Sequence, residues 1–140
     1  MIKRLNHVGI AVKDLDSAIA FFEQTYGASL VWRIKYEDQQ IESALIAIGE
    51  VRFELTAGLD QGSSVAKFIA ARGEGMHHVS LEVEGFEQVL AGLKTKGLKI
   101  LAEADTEDFK AAFVHPKSNL GLLMEIIEPK KDERSWGGKG

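Results

Sequence analysis

The segment HHVSLEV, residues 77–83, has a near-copy earlier in the chain, and the pair indicates how the molecule is organised. The earlier segment is NHVGIAV, residues 6–12, and the two histidines align at an offset of 78 − 7 = 71 residues. In both segments aliphatic side chains alternate with small or polar ones, as in a β-strand with one face against a core. The sequence therefore predicts two equivalent strands, each with a histidine near its start.

The same offset relates two later strands, which end the two halves of the chain. RFELTAG, residues 52–58, aligns with LMEIIEP, residues 123–129, glutamate against glutamate, at 125 − 54 = 71 residues. Helical spacing of apolar residues predicts one helix in each half, and further extended runs predict the remaining strands. The predicted helices cover 14–27 and 85–97, and the other strands cover 28–36, 41–48, 98–105 and 109–116. The pattern predicts an α+β fold made of two tandem β-α-β-β-β modules.

The length of 140 residues suits a single domain built from the two modules. We place module one at about 4–60 and module two at about 76–129, with a short linker helix within about 61–75. The tail, residues 130–140, is polar and rich in glycine, and the sequence predicts that it is loosely held.

Composition narrows the classes of partner and site. The net charge of −4 argues against nucleic acid as a partner. The chain has no cysteine, so a metal site must be built from His, Asp or Glu. No apolar run approaches the ~20 residues that span a membrane, and the amino terminus reads as a strand rather than a signal peptide. We therefore expect no membrane association and a cytoplasmic location.

The two neighbouring histidines of HHVSLEV face opposite sides of their strand, because side chains alternate along a strand. His78 shares its face with Ser80, and small or polar side chains of this kind suit the wall of a cavity. His77 shares the other face with aliphatic residues, which favours a structural role. A lone histidine in a strand is usually structural, so His78 is a candidate ligand mainly because it has a counterpart, His7.

Each module also has one glutamate in its last strand, 47 residues after its histidine (54 − 7 and 125 − 78). Glu125 is the stronger ligand candidate of the two, because apolar residues flank it on both sides. Burying a carboxylate in such surroundings costs free energy unless the carboxylate is paired or binds a metal. Glu54 has more polar flanks, and an edge strand with this residue in solvent is the alternative. Two imidazoles and two carboxylates make a mixed nitrogen and oxygen site that suits Co, Ni, Mn, Fe or Zn.

Three segments together resemble the vicinal oxygen chelate superfamily, which includes glyoxalases, bleomycin resistance proteins and dioxygenases. They are NHVGIAVKDLDSAIAFF, AKFIAARGEGMHHVSLEV and FVHPKSNLGLLMEI, and the resemblance spans residues 4–129. RGEGMHHVSLEV and HPKS are most similar to the methylmalonyl-CoA epimerase branch. The resemblance implies a cupped mixed sheet around one divalent metal ion, such as Co, Zn, Ni or Mn. Its implied ligands are His7, Glu54, His78 and Glu125.

The resemblance further implies proton transfer at the carbon between a carboxylate and a thioester, with an acyl-CoA as substrate and a homodimer as the common assembly. Glu125 is then both ligand and base. Some relatives have a second acid–base glutamate at the position of Ser43, and Glu42 can replace it only if its strand is bulged. Lys117 and Ser118 either face the mouth of the cavity, near an anionic substrate, or form an ordinary turn.

Other functions on the same scaffold stay open. A glyoxalase-type isomerase, similar to lactoylglutathione lyase, uses the same kind of metal site, but the basic residues it needs for glutathione are not evident. A non-catalytic ligand-binding or resistance protein typically lacks the metal ligands, so a complete set of four argues against it. A ring-cleaving dioxygenase is less consistent with the sequence, because it uses two histidines and one carboxylate.

Overall fold

A computed structural model describes residues 1–138 and confirms both predicted modules and the α+β class. The first module consists of β1 (Ile2–Ala11), α1 (Leu15–Tyr26), β2 (Ser29–Tyr36), β3 (Ile41–Ile48) and β4 (Val51–Gly58). After the linker helix α2 (Ser64–Arg72), the second consists of β5 (Gly75–Val83), α3 (Phe86–Thr95), β6 (Ile100–Asp105), β7 (Phe109–Val114) and β8 (Met124–Pro129). None of the described helices is long and apolar enough to cross a membrane.

The chain divides into two compact units, each with its own apolar core. The first unit comprises Val8–His77 and the described part of the segment from Arg134; the second comprises Met1–His7 and His78–Glu133. Strand β1 contributes to both units, and His7 is its last residue in the second. His7 therefore belongs to the same unit as His78 and Glu125.

In the first unit the strands lie in the order β2-β3-β4-β1. Strands β1 and β4 are parallel, with Gly9 opposite Glu54, and the other neighbouring pairs are antiparallel. Helix α1 begins after Asp14, whose carboxylate accepts a hydrogen bond from the Ser17 N–H, and ends at Gly27 with φ 70°. The core between this helix and the strands includes Leu15, Ile19, Ala44, Ile46, Leu55 and Ala57.

In the second unit the strands lie in the order β1-β5-β8-β7-β6. Strands β5 and β8 are parallel, with Ser80 opposite Glu125, and the β6–β7 and β7–β8 pairs are antiparallel. Helix α3 has Gly85 at its N-cap, which offers no capping side chain, and Glu128 of β8 takes over this function. Its carboxylate accepts hydrogen bonds from the Gly85 and Phe86 N–H groups, each at 3.0 Å. The core of this unit includes Val83, Phe86, Leu90, Ala112, Val114 and Ile126.

The strand registers of the two units repeat with the offset found in the sequence. Gly9 pairs with Glu54, and Ser80 pairs with Glu125, so both partners differ by 71 residues (80 − 9 and 125 − 54). In each pair the glutamate lies opposite the residue that follows its module's histidine by two positions. The repeat therefore extends from the order of the elements to the pairing of individual residues.

The carboxyl-terminal segment corrects one expectation. Trp136 is only 3% exposed, and its ring stacks on Trp32 of β2 with a centroid distance of 5.8 Å. The prediction of a loosely held tail is wrong at this residue, because burial of one large aromatic side chain outweighs the polar composition around it. Lys139 and Gly140, which the prediction also covered, lie outside the described residues.

We predict that Trp136→Ala lowers the free energy of unfolding by about 3 kcal/mol, the usual cost of emptying a buried tryptophan site. Urea denaturation measures this change. Leu120→Ala is the matched control, because Leu120 is fully exposed, and this variant should change stability by less than about 0.5 kcal/mol. Equal stability of Trp136→Ala and the wild type would mean that the segment is loosely held after all.

Candidate metal and proton-transfer site

Two histidine rings meet inside the second unit. His7 and His78 are 3% and 7% exposed, and their Nε2 atoms lie 3.2 Å apart. The ring planes are nearly perpendicular, at 82°, and Phe113 of β7 packs edge-on against His78. Each ring thus presents its Nε2 atom towards the other in a space that is largely closed to solvent.

Glu125 of β8 reaches the same point. Its Oε1 lies 3.4 Å from His7 Nε2, and the side chain is 12% exposed. Ligands that bind an ion at about 2.1 Å are about 3.0 to 3.4 Å from one another. The separations of 3.2 Å and 3.4 Å therefore fit neighbouring ligands of one metal ion. His7 and His78 also belong to a group of side chains with ligand atoms close enough together to hold one ion.

Burial raises the pKa of the Glu125 carboxyl to about 7. The neighbouring Ser80 hydroxyl opposes this rise, and the negative charge of Glu133 adds to it. Ser80 itself is fully buried, and its hydroxyl oxygen makes no well-formed hydrogen bond within residues 1–138. A buried carboxyl group with a pKa near neutrality, close to the His7 imidazole, suits a site that binds a cation.

A chain of hydrogen bonds starts at the far side of the His7 ring. His7 Nδ1 is 2.7 Å from Asn6 Oδ1, and Asn6 Nδ2 donates to Glu82 Oε1 at 2.9 Å. The other carboxylate oxygen of Glu82 lies 3.5 Å from Arg4 and 3.8 Å from Lys3. Asn6 and Glu82 are 3% and 9% exposed, so a buried amide connects the imidazole to a nearly buried carboxylate.

The sequence predicts that Glu82 shares the face of β5 that carries His78, but it assigns no role to Glu82 and does not single out Asn6. A signal was present for each of them. Asn6 directly precedes His7, and Glu82 alternates with His78 and Ser80 in HHVSLEV. That alternation places a third polar residue on the face of β5 that carries the histidine.

His77 has surroundings of a different kind. It belongs to the first unit, where its ring contacts Phe68 of α2 with a centroid distance of 4.8 Å. Burial lowers the pKa of this imidazole, and the nearby charge of Arg72 lowers it further. These contacts give His77 a structural role in packing the linker helix.

Glu54 lies on β4 of the first unit and is half-buried. Its register partners are Gly9 on β1 and Leu45 on β3, so β4 has a neighbour on each side. The alternative of an edge strand that exposes Glu54 is therefore excluded. The role of Glu54 as a metal ligand stays a prediction.

Glu42 does not meet the condition for a second acid–base role. The register between β3 and β4 is continuous from Ile41 to Ile48, so no bulge turns its side chain to the other face. Its carboxylate instead accepts a hydrogen bond from Arg33 Nε at 3.1 Å. On the opposite face, Ser43 is buried and its hydroxyl lies 2.8 Å from the Thr56 hydroxyl. The position that is a glutamate in some relatives is thus occupied by a serine already paired with a neighbour.

Lys117 and Ser118 lie in the short 3-10 segment Pro116–Ser118 after β7. The Ser118 hydroxyl accepts a hydrogen bond from the Lys99 N–H at 3.1 Å and donates to the His115 carbonyl at 3.0 Å. Ser118 is therefore a turn residue in this structure. Lys117 is exposed, and its contact with a substrate stays a prediction.

Several known proteins are similar to this chain in sequence and in fold. The chain matches the Glyoxalase/Bleomycin resistance protein/Dioxygenase superfamily over residues 6–114. It is 33% identical over 131 residues to an ethylmalonyl-CoA/methylmalonyl-CoA epimerase of Cereibacter sphaeroides, and the match covers 90% of this chain and 98% of that protein. The crystal structure of methylmalonyl-CoA epimerase from Mycobacterium tuberculosis is similar with a TM-score of 0.86 at 32% identity, covering 93% and 90% of the two chains. A methylmalonyl-CoA epimerase in complex with methylmalonyl-CoA and ammonium is similar with a TM-score of 0.87 at 27% identity, covering 93% and 96%.

The two neighbouring histidines provide a matched pair of variants. We predict that His78→Ala loses bound metal, because it removes an imidazole from the cluster with His7 and Glu125. His77→Ala should keep the metal and lose only some stability, because it removes a packing contact with Phe68. Elemental analysis after reloading both purified variants measures the difference. The reverse result would show that the wrong histidine has been assigned to the site.

The raised pKa of Glu125 predicts a pH-dependent stability in metal-stripped protein. Because the folded-state pKa of about 7 lies above the ordinary glutamate value of 4.5, folding favours the protonated carboxyl. Stability is therefore lost as the pH rises from 4.5 to about 7, and Glu125→Gln should remove this loss. The variant should exceed the wild type by about 3 kcal/mol above neutrality and match it in acid. Urea denaturation over this pH range tests the prediction, and parallel curves would contradict it.

Proposed function

The chain belongs to the glyoxalase/bleomycin resistance protein/dioxygenase superfamily, and we propose that it is a metal-dependent epimerase acting on methylmalonyl-CoA. The observation that carries this proposal is the buried cluster of His7, His78 and Glu125, in which the carboxyl has a pKa of about 7. Such a cluster combines metal ligands with a group that accepts a proton near neutral pH. The similarity to proteins named as methylmalonyl-CoA epimerases supports this choice of substrate.

In this proposal His7, His78 and Glu125 bind one divalent ion, and Glu54 is the fourth ligand. The first three are supported by atom separations of 3.2 Å and 3.4 Å. Glu54 is supported by the repeat, because its register on β4 corresponds to that of Glu125 on β8. The donor set of imidazole and carboxylate suits Co, Zn, Ni or Mn. When bound, such an ion supplies a Lewis acid that stabilises negative charge on the oxygens of the substrate.

Glu125 acts as the base. Its carboxylate takes the proton from the carbon between the substrate's carboxylate and thioester groups, and the electron pair of the broken C–H bond moves towards the thioester oxygen. Without a metal ion, burial raises the pKa of this carboxyl to about 7. A bound cation makes the carboxylate a weaker base, but it also lowers the pKa of the substrate's α-carbon, so a modest base suffices. Phe113, opposite Glu125 in the β7–β8 register, packs its ring edge-on against His78. The epimer forms when another acid donates a proton to the opposite face of the same carbon, and Glu125 then releases its proton to water.

The acyl-CoA substrate is the partner in this proposal. Lys117, exposed on the turn between β7 and β8, offers a positive charge to the anionic coenzyme, while Ser118 maintains the turn. A cytoplasmic homodimer is the assembly that we expect, and size-exclusion chromatography with light scattering measures its mass.

The experiment that tests the proposal follows exchange of the substrate's α-proton. Metal-loaded protein is incubated with methylmalonyl-CoA in deuterated water, and deuterium at the α-carbon is measured by mass spectrometry. We expect exchange that stops after removal of the metal with a chelator. Absence of exchange, together with isomerisation of the hemithioacetal of methylglyoxal and glutathione, would instead establish the glyoxalase-type alternative.

We predict that Glu125→Gln lowers the exchange rate by about 10²-fold or more, the usual effect of losing a general base. The amide oxygen can still bind the ion, so metal should be retained at reduced affinity. Glu42→Gln is the matched control, because the Glu42 carboxylate is paired with Arg33 and faces away from the Ser43 side of β3. It should exchange the proton at nearly the wild-type rate. Wild-type exchange by metal-loaded Glu125→Gln would show that another group is the base.

A further inference from the structure

We infer that Asn6 and Glu82 are positioning residues that select the tautomer of His7 and so keep its Nε2 atom available to a metal ion. The inference rests on the metal site proposed above and concerns the hydrogen bonds behind it. Asn6 lies between the other two residues, 2.7 Å from His7 Nδ1 and 2.9 Å from Glu82 Oε1. These contacts determine where the proton on the imidazole must be.

Glu82 determines the direction of these hydrogen bonds. An ionised carboxylate can only accept hydrogen bonds, and the second oxygen of Glu82 forms ion pairs with Lys3 and Arg4. Asn6 must therefore turn its NH₂ group towards Glu82, which directs its carbonyl oxygen to His7. A carbonyl oxygen can only accept a hydrogen bond, so His7 Nδ1 carries the proton.

A neutral imidazole with a proton on Nδ1 has its lone pair on Nε2. In His7 this is the atom that lies 3.2 Å from His78 Nε2 and 3.4 Å from Glu125 Oε1. The opposite tautomer would point an N–H group into the proposed metal site and would have to lose that proton before an ion could bind. The carboxylate of Glu82 thus controls the ligand through the intervening amide, which is how hydrogen bonds behind metal ligands commonly act.

The hydrogen-bonded residues Asn6, His7 and Glu82 are buried, and this burial makes their control of the His7 tautomer effective. Asn6, His7 and Glu82 are 3%, 3% and 9% exposed, so water has little access to compete for the hydrogen bonds that set the amide orientation. Replacing Glu82 with Gln keeps the shape of the side chain and changes only which of its atoms donate or accept hydrogen bonds. In Glu82→Gln, an amide oxygen directed at Lys3 and Arg4 places the new NH₂ group against the Asn6 NH₂ group. Asn6 then has to rotate, and His7 has to change tautomer.

Two isosteric variants and one control test the inference. Glu82→Gln should weaken cobalt binding by about 10- to 100-fold. The double variant Asn6→Asp with Glu82→Gln should restore it, because the new carboxylate accepts from both the glutamine amide and His7 Nδ1. Glu84→Gln, two residues further along at an exposed position, should bind cobalt like the wild type. Cobalt affinity and the visible spectrum of the bound ion are the first readouts.

The second readout needs no metal. Nitrogen-15 NMR of metal-stripped protein at alkaline pH identifies the tautomer of His7, with its signals assigned by comparison with His7→Gln. We expect a proton on Nδ1 in the wild type and in the double variant, and on Nε2 in Glu82→Gln. A wild-type proton on Nε2 would overturn the inference even if the variants failed to fold. So would unchanged cobalt affinity in Glu82→Gln, or a double variant no better than the single one.

These readouts separate the inference from the proposed function. If the wild type took up no cobalt, the proposed metal site would be wrong, and the tautomer of His7 would still decide whether Glu82 and Asn6 control it. If the wild type bound cobalt and exchanged the substrate proton while Glu82→Gln behaved identically, the function would stand and the inference would fail.

Discussion

The buried carboxyl of Glu125 is the constraint on which the site in the second unit depends. Removing a carboxylate from water costs several kcal/mol unless a charge or hydrogen bonds offset it. Here the cost raises the pKa to about 7, and His7 Nε2 lies 3.4 Å from one carboxylate oxygen and 3.2 Å from His78 Nε2. A cation beside His7 Nε2 and this oxygen would offset the cost of burying the carboxylate. The neighbouring strands β1, β5 and β8 provide the backbone that places His7, His78 and Glu125 side by side.

The internal repeat explains why such a site can arise, and departures from it explain how the two copies differ. Each module has one histidine in its first strand, and its glutamate lies opposite the residue two positions after that histidine. Glu125 has the aromatic ring of Phe113 as its cross-strand neighbour, whereas Glu54 lies opposite Leu45. In the first copy the position of a second acid–base group is filled by Ser43, whose hydroxyl is paired with Thr56. We therefore propose that proton transfer belongs to the second copy.

The ion pairs at Glu82 show that an interaction of little value for stability can still serve a site. Lys3 and Arg4 are substantially exposed, and surface pairs of this kind contribute about 0–1 kcal/mol. Their effect on Glu82 is directional, because they leave its other oxygen as an acceptor for Asn6. A weak surface contact can thereby influence the orientation of a buried amide and the protonation of an imidazole.

Much of the fold and the list of ligand candidates could be read from the sequence, because both depend on spacing along the chain. Alternation predicted the strands, Asp14 and Gly27 marked the ends of a helix, and the 71-residue offset identified the histidines and glutamates. Pairings between distant residues could not be read in this way. Asn6 donates a hydrogen bond to Glu82, which lies 76 positions later in the chain. Trp136 belongs to a polar segment, yet its ring stacks on Trp32. The direction of Glu42 likewise depended on a strand register without a bulge. Such contacts depend on which helices and strands become neighbours when the core forms. Local patterns of polarity in the sequence do not determine which elements become neighbours.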